Sequence, residues 1–375
     1  MLVVTLLVLF AVPALGFVGV RALLDSTGGT DARADNLPIQ TFPATPTALY
    51  LATDPTGALS SATVFVLQPT LAGGSIIPIA VNADIGFTPE SRQSLQEVFA
   101  AGGVDAAVLA VESLTLITIN VVEVADEASV TGLLLPFAPV TVELAADVAM
   151  ASPDDMTAQP LTAGTAVLDA RAAAKVLTEP AASSAGGQTG HRTNVEALWA
   201  AVSAMVGGGR PGSAFATAPP ATWDAFAAAL FAGPAPSRGI AVQPLEGDEN
   251  PEGKDVVQLD RADAVFVFAS VAPGSMSGPS PGLLFRLEAP QGYDAAVKTT
   301  IERLLFLGAN IVSVDTNVAP RPDTVFLVPD DVNRDEAMQT NGIFGSVSFE
   351  DPTVRIDGVD LTVVLGTDYL AGASS

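Results

Sequence analysis

Few residues in this chain could do chemistry, and their types narrow what that chemistry could be. There is one histidine, His191, and no cysteine in 375 residues. Zinc sites built from several imidazoles or thiolates are excluded, and a Ser-His-Asp triad would have one imidazole to use. Disulfides are excluded as well. The run Gly274-Ser275-Met276-Ser277-Gly278 has methionine where a nucleophile elbow needs serine. Asp331-Val332-Asn333-Arg334-Asp335 imitates the start of a calcium loop. Glu336 then stands where glycine is needed and Gly342 where a bidentate acid is needed, so an acidic surface loop is the better reading. The sequence contains no Walker loop and no dinucleotide fingerprint.

The formal charge is −25 and the isoelectric point about 4.1, with lysine only at Lys175, Lys254 and Lys298. Such a mean field repels nucleic acid and phosphate-rich polymers unless a local basic pocket overrides it. An acidic, lysine-poor surface also serves solubility. Hydrophobic residues make up 49% and charged residues 15%. That balance excludes a disordered chain and predicts packed α/β or α+β domains, and the length suffices for two.

The elements that must position any site follow from local pattern. Residues 1–20 carry no charged side chain before Arg21, enough helix to reach across a hydrocarbon core. An uncleaved signal anchor is favoured over a signal peptide cut after Ala14-Leu15-Gly16, because apolarity continues past that point. Residues 25–46 read as a spacer. Strand, turn, strand is expected over residues 48–67, a third strand over 76–81, and a helix over 91–101 stopped by Gly102-Gly103. Further strands are expected over 114–124, 140–144 and 264–269. An alanine-rich helix is expected over 167–176, a loop over 178–192, and a helix over 195–206 capped by Asn194. Residues 272–282, rich in Pro, Gly and Ser, read as a linker. A β-α-β pattern follows: strand 283–287, amphipathic helix 293–307, then strands 311–314, 324–328 and 361–365.

Several short motifs fall in a particular order. The strand 76–81 runs into Asn82-Ala83-Asp84, and Phe99-Ala100-Ala101-Gly102-Gly103 follows. Ile117-Thr118-Ile119-Asn120-Val121-Val122-Glu123-Val124 comes next. Ala163-Gly164 then precedes Leu168-Asp169 and the alanine-rich helix, and Arg192 stands before another helix. Val363-Val364-Leu365-Gly366-Thr367-Asp368-Tyr369 reads as a last strand. In this order residues 63–206 resemble the LytR-CpsA-Psr domain, and residues 283–370 the C-terminal domain that often follows it. The resemblance implies membrane-anchored enzymes that move a glycopolymer from polyprenyl pyrophosphate onto peptidoglycan, assisted by magnesium. It implies an apolar cavity for the lipid and a mouth of arginines that clamp the pyrophosphate. This chain departs from the pattern at that mouth. Ala83 takes the place of the turn arginine, Thr178 and Pro180 stand for a Tyr-x-Arg-x-Arg pair, and Thr189 replaces one later arginine. What survives is Asp84 as a candidate metal ligand and His191 with Arg192 as candidate ligand-binding residues. Each electrostatic donor lost from such a site costs about 2.7–4 kcal/mol in the transition state.

The expected fold is therefore α/β, a LytR-CpsA-Psr-like mixed sheet flanked by helices plus a small C-terminal α/β domain, after an N-terminal membrane anchor. The expected division is anchor 1–24, linker 25–46, first domain 47–271, linker 272–282 and second domain 283–372. The expected function is an exported, non-catalytic binding or scaffolding protein of the cell envelope, membrane-anchored and extracytoplasmic, with the apolar cavity kept and the cationic mouth lost. The alternatives are an active magnesium-dependent phosphotransferase and an exported structural domain without ligand. The partners expected are the membrane through the N-terminal helix, and polyprenyl lipid or peptidoglycan; nucleic acid is excluded. No residue is assigned as catalytic.

Overall fold

Apolar runs broken by short turns build the first sheet. The computed structural model describes residues 37–86, 88–148, 161–181, 186–206, 218–278, 281–329 and 331–373. The expected anchor over residues 1–20 lies outside them. The chain enters as β1 (Ile39–Gln40), then β2 (Thr47–Thr53), β3 (Leu59–Leu67) and β4 (Gly74–Ile79). Asp54 shapes the first turn, its Oδ1 accepting from Thr56 N at 2.8 Å and Ala58 N at 3.0 Å. After α1 (Leu95–Thr115), β5 (Val121–Ala125) joins β2 in parallel, giving the order β4-β3-β2-β5. Side chains alternate between faces along a strand, and here both faces are buried. Leu49 and Leu51 face one core, Tyr50 and Ala52 the other.

The second of those cores is closed by α2 (Glu127–Leu134), the hairpin of β6 (Val140–Leu144) and β7 (Gly164–Leu168), α3 (Ala170–Thr178), α4 (Gly187–Val206) and α5 (Trp223–Leu230). The first is covered by α1, by the hairpin of β8 (Val242–Pro244) and β9 (Val257–Leu259), and by α6 (Arg261–Val271). That core continues without a break into the C-terminal part. There β10 (Leu284–Glu288), α7 (Asp294–Phe306) and β11 (Asn310–Asp315) form the expected β-α-β unit. β12 (Thr324–Leu327), α8 (Asp331–Gln339), α9 (Asn341–Phe344), β13 (Val347–Glu350), β14 (Arg355–Ile356), β15 (Leu361–Val364) and α10 (Thr367–Ala373) complete it. Its mixed sheet has the order β11-β10-β15-β12-β13.

Several local expectations differ from the structure for identifiable reasons. Residues 264–269, expected as a strand, lie in α6. An apolar run of that length is buried on all sides in either form, and Asp260 decides it by accepting from Asp263 N at 2.9 Å as a helix cap. The helix does break at Gly102-Gly103 as expected, Gly103 taking φ +69° and ψ −155°, but a second helical segment follows directly and runs to Thr115. By length and composition α1 could cross a membrane, yet its Ala107, Ala110 and Val111 sit in the shared core. Asn194 is buried inside α4 and is not its cap. Its Oδ1 accepts from Ala145 N at 2.7 Å and Ala146 N at 3.2 Å, and its Nδ2 donates to Ala146 O at 2.9 Å. It ties the end of β6 to the helix.

The two stretches expected as spacers are held in place where they are described. β1 pairs in parallel with β14. Ser275 Oγ donates to Thr45 O at 2.7 Å, and Ser277 Oγ to Leu116 O at 3.0 Å. A side chain at Gly274 would meet Pro43 O at 2.6 Å, so this crossing requires glycine.

Candidate functional site

The turn after β4 carries Asn82, Ala83 and Asp84. It is pinned from both sides, with Asp84 N donating to Val257 O at 2.8 Å and Leu95 N to Ala83 O at 3.0 Å. The Asp84 carboxylate is spent within its own loop. Oδ2 accepts from Arg92 Nη1 at 2.6 Å, and Oδ1 accepts from Gln93 N at 3.0 Å and Gly86 N at 3.2 Å. Arg92 Nε donates in turn to Glu249 O at 2.9 Å, and Lys254 Nζ donates to Arg92 O at 2.7 Å. The Asp84 side chain is 5% exposed. Magnesium needs several oxygen ligands in near-octahedral array. Here both oxygens are engaged, a guanidinium stands against one of them, and no cluster of three potential ligands exists among the described residues. As placed here, with both oxygens engaged inside the loop, Asp84 offers a magnesium ion no free carboxylate oxygen, and it braces the loop.

His191 and Arg192 lie in the first turns of α4. His191 is buried, and its Nε2 donates to Ser60 O of β3 at 3.0 Å. A carbonyl only accepts, which places the imidazole proton on Nε2. Burial pushes its pKa down, opposed by the bond to Ser60. Arg192 is 18% exposed, with Nε 3.9 Å from Glu196 Oε1. Burial raises the Glu196 pKa, and Arg192 opposes the rise. Arg192 Nη1 is buried without a partner among the described residues.

His191 and Arg192 meet Ser60, Ser61, Asn82 and Gln188 around one recess of about 10 Å³. That is roughly the least space that admits one water molecule. The structure thus brings His191 and Arg192 together and places Asn82 beside them, while Asp84 does not line the recess. The layer between the sheet and α3–α5 is filled by aromatic rings. Trp199 meets Phe65 edge-on at 5.3 Å, Trp223 lies 4.7 Å from Tyr50, and Phe137 is 5.0 Å from Phe231. Rings of this size pack closely against one another in this layer.

Arg92 was not legible as a site residue. It lies eight positions from Asp84 across a loop, and no periodic pattern links the two.

His191 gives a pH dependence. The folded chain keeps it neutral, while the unfolded chain takes up a proton near the ordinary value of 6.5. Its stabilising contribution is therefore complete above about pH 6.5 and is lost as pH falls below that towards the folded-state value. Thermal midpoints of the wild type should fall from about pH 7 to about pH 5, and His191→Gln, which keeps a donor for Ser60, should fall less. Equal slopes in the two proteins would remove His191 as the cause.

No protein-family model matches the chain, and no curated protein sequence matches it. Solved structures do match. B. subtilis TagV is 13% identical with a TM-score of 0.42, the match covering 60% of this chain and 94% of that one. TagT bound to LIIa-WTA is 16% identical with a TM-score of 0.42, covering 60% and 88%. The LytR-CPS2A-psr family protein YwtF (TagT) with bound octaprenyl pyrophosphate lipid is 15% identical with a TM-score of 0.40, covering 59% and 86%. These neighbours are LytR-CpsA-Psr proteins. This chain, like them in class, has mixed sheets flanked by helices. At such identities the roles of Asp84, His191 and Arg192 are read from this chain's own geometry.

Proposed function

We propose that this chain is an exported, membrane-held protein of the cell envelope with a LytR-CpsA-Psr-like body that binds or scaffolds and does not catalyse transfer. Residues 47–271 and 283–372 act as its two parts, outside the cytoplasm. One observation carries the non-catalytic reading. The only acid retained at the expected site, Asp84, is neutralised by Arg92 and two backbone N–H groups. With both oxygens so engaged, holding a metal would require the carboxylate to release its loop first.

A second reading, an active magnesium-dependent phosphotransferase acting on a polyprenyl-linked glycopolymer, draws on one feature. Arg192 Nη1 is a buried donor with no acceptor among the described residues, and a buried donor left unpaired costs about 1–3 kcal/mol. An anionic ligand would satisfy it.

The two readings separate in one assay. With magnesium present, the wild type should release or transfer nothing above background from a polyprenyl-pyrophosphate-linked substrate. Robust turnover that disappears in both Arg192→Ala and Asp84→Asn would establish the enzyme. Asparagine is the useful change at 84, because its carbonyl still accepts from Gly86 N and Gln93 N.

A further inference from the structure

A second recess, of about 600 Å³, lies between the β8–β9 hairpin, the start of α6 and the outer face of α7. Gln243 and Gln258 oppose each other across the hairpin, so their amides stand on one face. Arg261, Lys298 and Glu302 add charge, and Phe306 supplies an aromatic ring. Asp260 is also present, so the lining carries two acids and two bases and has no excess of positive charge. Lys298 is partly committed to Asp263, at 2.5 Å.

Phe306 is 90% exposed. The buried face of α7 carries Val297, Ile301 and Leu304, and a residue two places on from Leu304 lies about 200° round the helix. The ring therefore stands on the polar side, where it contributes nothing to the core. A single exposed apolar residue needs no explanation by itself. This one borders a recess whose lining includes two amides, a guanidinium and two carboxylates, all planar.

We propose that this groove binds a neutral oligosaccharide. Planar amide, guanidinium and carboxylate groups each present paired donors or acceptors, which match the adjacent hydroxyls of a pyranose. The C–H face of the sugar ring rests on the phenyl ring of Phe306. An apolar chain in the same place would bury these polar groups without partners. A polyanion would meet a groove without excess positive charge in a strongly acidic chain. The groove shares no lining residue with the His191–Arg192 recess, so it stands whether or not the chain catalyses transfer.

The test is calorimetric titration of the purified full chain with chitotetraose, with maltotetraose, and with an uncharged leucine-rich peptide. Saturable binding of either sugar is expected, with chitotetraose pointing to an N-acetylated glycan and maltotetraose to an unsubstituted hexose chain. Phe306→Ala and Gln258→Ala should each weaken it by about tenfold or more. Both residues are exposed, so neither change threatens the fold. Binding of neither sugar, binding of the peptide alone, or sugar binding that survives both substitutions would overturn the proposal.

Discussion

Asp84→Ala should destabilise the chain by about 3–5 kcal/mol, the usual effect of removing one member of a buried ion pair. The size follows from what is left behind. The Arg92 guanidinium, 16% exposed, keeps only its bond to Glu249 O. The N–H groups of Gly86 and Gln93 lose their acceptor at the same time. Asp84→Asn, which retains an acceptor for those two donors, should cost clearly less. Urea unfolding of the three proteins reads the difference directly. The same experiment bears on function, because a metal ligand would make stability respond to magnesium or to chelation. With Asp84 acting as a loop brace, the wild-type midpoint should be unchanged by either. An Asp84→Ala protein as stable as wild type, or a wild type stabilised by magnesium, would return Asp84 to the role of ligand.

Trp199→Ala should cost about 3–5 kcal/mol, the range for emptying a large aromatic site in a close-packed core. Trp199 is 0% exposed and sits edge-on to Phe65 among the rings that fill the layer between the first sheet and α3–α5. Trp199→Phe separates volume from polarity. The indole Nε1 is buried without a partner among the described residues, so a phenyl ring removes an unpaired donor while leaving only a small void. The phenylalanine variant should recover most of the loss in the unfolding midpoint. If alanine were tolerated, this layer would be loosely packed, and the close packing of its rings would be refuted.

Much of the architecture was legible in the sequence. Alternation and turn residues located the strands from Thr47 to Ile79, and an amphipathic stripe closed by Gly308 located α7 between β10 and β11. Those signals are local, carried by residues a few positions apart. Composition alone excluded thiolate and multi-histidine metal sites. The resemblance supplied the order of motifs that brought Asp84, His191 and Arg192 forward as candidates.

What the sequence could not decide depended on which distant groups meet. Asp84 has the same side chain whether it faces a cation in solution or Arg92 across a loop, and only folding chose the second. His191 reads as a basic residue in the chain, yet burial against Ser60 keeps it neutral. Residues 264–269 are equally apolar as strand or helix, and the cap from Asp260, with burial on every side, made them α6. The cavity is the plainest case. Hydrophobic pattern records which residues turn inward, but whether they enclose a space or fill it depends on how their volumes add in three dimensions. In this chain Trp199, Phe65 and their neighbours pack against one another beside the first sheet.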